Sequence, residues 1–70
     1  MVLTVDARGM RCPWPVLRLA RAIRQEMPDS VRLLADDPRA AAEVAAFAAQ
    51  QGWSVSAEGD TYELAPLTNR

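Results

Sequence analysis

The 70-residue chain contains no histidine, no lysine and a single cysteine, Cys12. Histidine is the commonest general base and the commonest metal ligand, so its absence excludes a Cys-His hydrolase and leaves zinc a poor set of ligands. We therefore expect neither a metal nor a cofactor. One cysteine cannot form an internal disulfide, which fits a reducing compartment. The open question is whether Cys12 is a small buried residue of the core or an accessible nucleophile.

Long apolar runs are also absent. No stretch approaches the ~20 residues of a membrane span, and the N-terminus has no signal-peptide pattern, so we expect a cytoplasmic protein without membrane contact. Half of the residues are apolar and 24% are charged, as in ordinary globular proteins. A chain of this size buries only about 60% of its unfolded surface. We expect residues 1–70 to form one monomeric domain without a large ligand cavity.

The net charge of −1 conceals an asymmetry. Residues 1–27 hold five arginines against Asp6 and Glu26, a balance of +3, and residues 28–70 hold three arginines against seven acids, a balance of −4. A net acidic chain with one tyrosine and one phenylalanine has neither a broad basic footprint nor an aromatic platform. Direct nucleic-acid binding is therefore not expected.

Hydrophobic periodicity predicts the element order β-α-β-α-β-β. The predicted strands cover residues 2–6, 31–35, 53–58 and 61–65, and the predicted helices cover residues 13–27 and a segment from Asp36-Asp37-Pro38 to residue 51. Short connections of this order predict an α+β fold, a two-layer α/β sandwich in which a four-stranded mixed sheet carries both helices on one face.

Turn and cap residues support these boundaries. An aspartate of the Asp36-Asp37 pair is expected to cap the second helix, with Pro38 at an early position that needs no N–H. Gly52 is expected to end that helix, and Gly9 is expected to adopt positive φ in the loop after the first strand.

Cys12 lies in the loop that leads into the first helix, a position that favours exposure over burial. A nearby helix N-terminus or guanidinium lowers a thiol pKa, and both are present in the local sequence. If Cys12 is the N-cap, the Trp14 amide is the main donor to sulfur, because Pro13 and Pro15 have no N–H. Alternatively the helix begins at Pro15 and Cys12 lies two residues outside it.

Side chains around Cys12 have two possible roles each. Arg18 and Arg21, with Arg11, could form a positive docking surface for an acidic partner, and Arg11 could instead stabilise the thiolate. Trp14 could be an exposed anchor for a partner or a lid on the helix end. Asp6 is expected to cap loop amides or to pair with a neighbouring arginine.

The spacing of Asp6, Gly9, Cys12, Pro13 and Pro15, followed by Asp36-Asp37-Pro38, resembles the TusA/SirA-like family of small sulfur-carrier proteins. The resemblance extends over nearly the whole chain, although the position of Trp14 is often acidic in the family. It implies the βαβαββ fold and a Cys12 that receives a sulfane sulfur as a persulfide. Pro13 and Pro15 would frame the motif.

The resemblance also implies partners. The donor would be a cysteine desulfurase or a rhodanese-like protein, and the sulfur would pass to a downstream acceptor protein. Related proteins serve tRNA thiolation, molybdenum-cofactor supply or sulfur oxidation. The chain would then be a component of a sulfurtransferase system rather than a stand-alone enzyme.

Two other hypotheses remain open from the residues alone. A thiol-redox protein with one cysteine would need an external thiol such as glutathione. A regulatory interaction module would carry Cys12 only incidentally.

Overall fold

A computed structural model describes residues 1–67. The elements follow one another as β1 (Val2–Asp6), α1 (Trp14–Glu26), β2 (Ser30–Leu34), α2 (Ala40–Gln51), β3 (Trp53–Glu58) and β4 (Thr61–Pro66). The predicted order is confirmed, and the predicted bounds of β1 and β3 match residue for residue.

The four strands form one mixed sheet in the order β1-β2-β4-β3. β1 pairs with β2 in parallel, with Val5 opposite Leu33, because α1 carries the chain back across the sheet between them. β4 pairs antiparallel with both β2 and β3. The crossover therefore places the carboxyl ends of β1 and β2, and the loops that follow them, side by side.

One face of the sheet and both helices enclose the core. Its members are apolar or aromatic side chains that alternate along the strands and recur along the helices; the largest fully buried ones are Leu19, Leu33, Leu64, Val31, Val44 and Pro15. Leu19 belongs to α1 and Val44 to α2, so both helices lie on the same face, as expected. On the other face, Arg32 and Glu63 form an exposed ion pair between β2 and β4.

Helix α1 begins at Trp14, with Pro13 as its N-cap residue. Both interpretations of the helix start were therefore wrong: Cys12 is not the N-cap, and the helix does not wait until Pro15. The predicted helix also ended one residue too late, because the C-cap residue of α1 is Met27. It ends α1 in the left-handed conformation with φ 48°, which turns its side chain into solvent at 81% exposure.

Helix α2 begins at Ala40 rather than at the Asp36-Asp37-Pro38 segment. The Ala40 amide donates to the Asp37 carbonyl at 2.9 Å, which closes a tight turn before the helical ladder starts. The predicted helix end at Gly52 is confirmed, with φ 73°. Within residues 1–67, neither helix has the length and apolar character needed to cross a bilayer.

Candidate functional site

Cys12 lies in a loop built from two consecutive tight turns between β1 and α1. The Met10 amide donates to the Ala7 carbonyl at 3.2 Å, and the Trp14 amide donates to the Arg11 carbonyl at 2.9 Å. Cys12 and Pro13, joined by a cis peptide bond, occupy the middle of the second turn. Because the Trp14 amide is used within this turn, the expectation that it is the main donor to the Cys12 sulfur was wrong.

Two aspartates from the β2–α2 junction hold this loop. The Gly9 amide donates to Asp36 Oδ1 at 2.9 Å, and the Cys12 amide donates to Asp37 Oδ2 at 3.2 Å. The parallel pairing of β1 with β2 makes these contacts possible across more than twenty residues of sequence. The prediction that one of these aspartates caps α2 was wrong, because the N-cap residue is Arg39 and no side chain of residues 1–67 caps the helix. Asp36 accepts a hydrogen bond from the cysteine loop instead, and Pro38 lies in the turn before α2.

Asp37 is the central acceptor of the site. Its Oδ1 accepts from the Arg39 amide at 2.7 Å and from Arg39 Nε at 3.3 Å, while its Oδ2 bonds the Cys12 amide. The Asp37 side chain is only 5% exposed. Hydrogen bonds from Arg39 and Cys12 hold its pKa at about 2. Asp37 is therefore an ionised carboxylate that fixes the backbone of the cysteine.

Cys12 itself is partly exposed, which agrees with the expectation from its loop position. The pKa of its thiol is raised, first by partial burial and then by the negative charges of Asp37 and Glu43, whereas Arg39 opposes the rise. The expectation of a lowered pKa was wrong, because the thiol is partly buried and because the charges that act on it come from the β2–α2 junction and α2. The resting side chain is therefore a protonated thiol at neutral pH.

The two prolines of the motif have different surroundings. Pro15 is buried in the core at the second position of α1, where its missing N–H costs no helical hydrogen bond. Pro13 is exposed, and its carbonyl accepts the first helical bond, from Leu17 at 3.1 Å. Pro15 thus anchors the start of α1, and Pro13 keeps the turn at the surface.

The sequence was compared with models of known protein families. A family model described as sulfurtransferase TusA matches residues 3–65. The chain belongs to the TusA family. The resemblance inferred from the motif is thus confirmed, and the matched range includes Cys12, both aspartates of the β2–α2 junction and all six elements except Val2 and Pro66 at their outer ends.

In this TusA-family chain, Asp6 and Gly9 shape the backbone of the loop that carries Cys12. Asp6 accepts from the Arg8 amide at 3.1 Å and from the Arg8 guanidinium at 2.9 and 3.0 Å, which holds the pKa of Asp6 at about 2. Gly9 has φ 83°, a conformation that glycine adopts without strain. Both roles were expected from the sequence.

The candidate docking residues lie together on one side of the cysteine loop. They line an open groove of about 690 Å³, which we call the arginine groove; its lining residues are Gly9, Met10, Arg11, Trp14, Leu17, Arg18 and Arg21. Trp14 is 62% exposed, so it is not a lid folded over the helix end. Arg11 is absent from the charges that shift the pKa of Cys12, which disfavours thiolate stabilisation as its role.

Sequence reasoning missed four residues of this region: Arg39, Glu43, Met10 and Leu17. Arg39 follows Asp37 at the same spacing as Arg8 follows Asp6, and this repeated Asp-x-Arg pattern is a signal that could have found it. Leu17 is an apolar residue of α1 that is 50% exposed, on a different side of the helix from the buried Leu19.

Across residues 1–67, no three Cys, Asp or Glu side chains are grouped so that they could hold a metal ion.

Proposed function

We propose that the protein is a sulfur carrier in which Cys12 accepts a sulfane sulfur as a persulfide and relays it to an acceptor protein. The observation that carries the proposal is a lone, partly exposed thiol in a braced loop of a TusA-family chain. A carrier needs a sulfur atom that two partners can reach in turn, on a backbone that returns to the same position. The bonds from the Gly9 and Cys12 amides to the two aspartates provide that bracing.

Loading is an exchange between two sulfur atoms. The Cys12 sulfur, deprotonated as it attacks, bonds to the outer sulfur of a donor Cys-S-SH. The sulfur–sulfur bond of the donor breaks, and the donor thiolate that leaves takes up the proton. The net change converts the Cys12 thiol and the donor persulfide into the Cys12 persulfide and the donor thiol, so no oxidant or reductant is consumed.

Delivery repeats the exchange in the opposite sense. A thiolate of the acceptor protein attacks the outer sulfur of the Cys12 persulfide, and Cys12 leaves as a thiolate that is then protonated. A thiol of higher pKa leaves more slowly. Burial, Asp37 and Glu43 raise the pKa of Cys12, so its leaving ability is reduced for every attacking thiol. We expect an acceptor that positions its thiol beside the loop to offset this through proximity, which a small free thiol does not have.

The thiol-redox hypothesis is less well supported by the same observations. Reactive redox cysteines have a lowered pKa and often a resolving cysteine close by. The pKa of Cys12 is raised, and the chain has no other cysteine. The carrier function needs no resolving cysteine, because sulfur exchange is completed by the thiols of the partners.

Intact-mass spectrometry under non-reducing conditions tests the proposal. The full chain is incubated with a cysteine desulfurase and free cysteine, and we expect a gain of one sulfur atom that dithiothreitol removes. Cys12→Ser should gain none while keeping its circular dichroism spectrum. A glutathione adduct on exposure to oxidised glutathione, without sulfur gain from the desulfurase, would instead establish the redox function.

A complementation assay addresses the regulatory hypothesis. Cells that depend on this protein should lose their sulfur-transfer phenotype when Cys12→Ser replaces the wild-type chain. Full complementation by Cys12→Ser would show that the thiol is incidental and that the protein acts as an interaction module.

A further inference from the structure

We infer that the arginine groove binds an acidic protein segment that carries an exposed apolar side chain, presented by the protein that exchanges sulfur with Cys12. This inference rests on the proposed carrier function and names the chemistry of its partner. The groove lies beside the cysteine loop: Arg11 and Trp14, which flank Cys12 and Pro13 in the chain, both line it, although Cys12 itself does not.

The apolar part of the groove is formed by side chains that the fold does not bury. Trp14 is 62% exposed and Leu17 is 50% exposed, and Met10, which also lines the groove, is partly buried against the core. Exposed Trp and Leu next to one another are a feature of contact surfaces, since Trp is enriched at interface hot spots. An apolar side chain of a partner would bury both.

Two of the three groove arginines lie on α1, on the same face as Trp14 and Leu17. Trp14, Leu17, Arg18 and Arg21 are spaced three, four and seven residues apart, so they form one stripe. Within the part of the chain that the structure describes, no carboxylate forms an ion pair with Arg11, Arg18 or Arg21. Arg18 acts on Asp6 only at longer range, as one of the charges that lower the pKa of that carboxyl. Three guanidinium groups outside any ion pair favour an occupant that supplies carboxylates.

The β2–α2 side of the cysteine loop has a net negative charge, with three carboxylates against the guanidinium of Arg39. Asp36 and Asp37 contact the loop, and Glu43 acts on the Cys12 thiol from α2. An acidic partner is therefore attracted to the arginine groove and repelled from the α2 side. This polarity gives the partner one orientation, with its reacting sulfur beside Cys12.

A peptide donor tests the inference. The probe is a synthetic peptide with glutamates around a central leucine and a C-terminal cysteine persulfide, and its control has lysine in place of every glutamate. We expect the acidic peptide to load Cys12 about tenfold faster than the basic peptide at low salt, with the difference shrinking as salt rises. Equal rates for the two peptides would overturn the inference.

Charge-reversal variants locate the effect. Arg18→Glu and Arg21→Glu, each as a single variant, should remove most of the advantage of the acidic peptide, and Trp14→Ala, which leaves the net charge unchanged, should reduce it. Arg24→Glu is the matched control, because Arg24 lies on the same helix, is exposed and does not line the groove. If Arg24→Glu removes the advantage as fully as the groove variants do, the effect is one of net charge and the inference is wrong.

Two further measurements separate this inference from the carrier function and from other ligands. Glutathione persulfide, which needs no docking, should load wild-type Cys12; if it does not, the carrier function fails whatever the groove binds. If glutathione persulfide loads Cys12 but both peptides load it equally, only the groove inference fails.

Nuclear magnetic resonance tests other occupants of the groove. Chemical-shift changes at Trp14 and Leu17 caused by an RNA oligonucleotide or an anionic vesicle, and not by the acidic peptide, would also overturn the groove inference.

Discussion

The two strand-to-helix junctions begin with the same local structure and use it differently. In each, an aspartate accepts hydrogen bonds from the amide and guanidinium of the arginine two residues later: Asp6 from Arg8, and Asp37 from Arg39. The Asp6 side chain is 54% exposed, whereas that of Asp37 is 5% exposed and also bonds the Cys12 amide. The Asp6 turn makes only local hydrogen bonds within the first junction. The Asp37 turn also joins the second junction to the cysteine loop.

This difference assigns separate tasks to the two junctions. The first carries the sulfur and, through its neighbours on α1, a cationic surface. The second holds the first in place, and the negative charge of Asp37 adds to partial burial in raising the pKa of the Cys12 thiol. The backbone position of Cys12 is thus fixed by Asp37, a residue 25 positions further along the chain.

The largest expected effect is that of Asp37→Asn compared with Asp6→Asn. Asparagine has one carbonyl oxygen, so at position 37 it cannot accept from both Arg39 and Cys12 through separate oxygens. We expect Asp37→Asn to lower Tm by about 5 °C, and Asp6→Asn, whose contacts are exposed, by about 2 °C or less. Thermal denaturation followed by circular dichroism measures both.

Amide hydrogen exchange sharpens the same comparison. In Asp37→Asn the Cys12 amide should exchange about tenfold faster than in wild type, whereas Asp6→Asn should leave its rate nearly unchanged. Equal exchange rates in the two variants would show that Asp37 does not clamp the cysteine loop.

A smaller effect is expected when the pH is lowered. Asp6 and Asp37 both have a pKa of about 2 in the folded chain, below the ordinary value of 3.8. A lowered pKa stabilises the fold above the ordinary value, and that contribution is lost as the pH falls toward 2. Tm measured from pH 6 to pH 2 should therefore fall, and the fall should be shallower in Asp37→Asn. An unchanged slope in that variant would contradict the role of the carboxylate.

The smallest expected effect concerns the reactivity of the Cys12 thiol. Glu43 raises its pKa and Arg39 lowers it, so Glu43→Gln should move the pH midpoint of iodoacetamide alkylation down and Arg39→Gln should move it up. Both side chains are exposed, and water and salt weaken such charges. Midpoints that shift in the same direction in the two variants would contradict the electrostatic account.

Sequence periodicity was sufficient for the architecture. The alternation in β1, β3 and β4 and the stripe containing Leu19 specify which faces are buried, and the motif around Cys12 identifies the family. The start of α2 was predicted too early because a tight turn at Asp37 resembles a helix cap in sequence.

The electrostatics of the site could not be predicted in the same way. Arg11, Arg18 and Arg21 are close to Cys12 in sequence, and this suggested a lowered pKa. The charges that raise the pKa of its thiol belong to Asp37 and Glu43, which reach it only through the parallel pairing of β1 with β2 and the packing of α2. Contacts at that separation are not visible in local sequence patterns.

The most direct test of the relay follows one isotopically labelled sulfur atom. Wild-type chain loaded on Cys12 with labelled sulfur is mixed with an acceptor protein that has one reactive cysteine, and both masses are recorded with time. We predict that the label appears on the acceptor as a persulfide while Cys12 returns to its free thiol mass. Label that stays on Cys12, or that appears only as free sulfide, would contradict the relay.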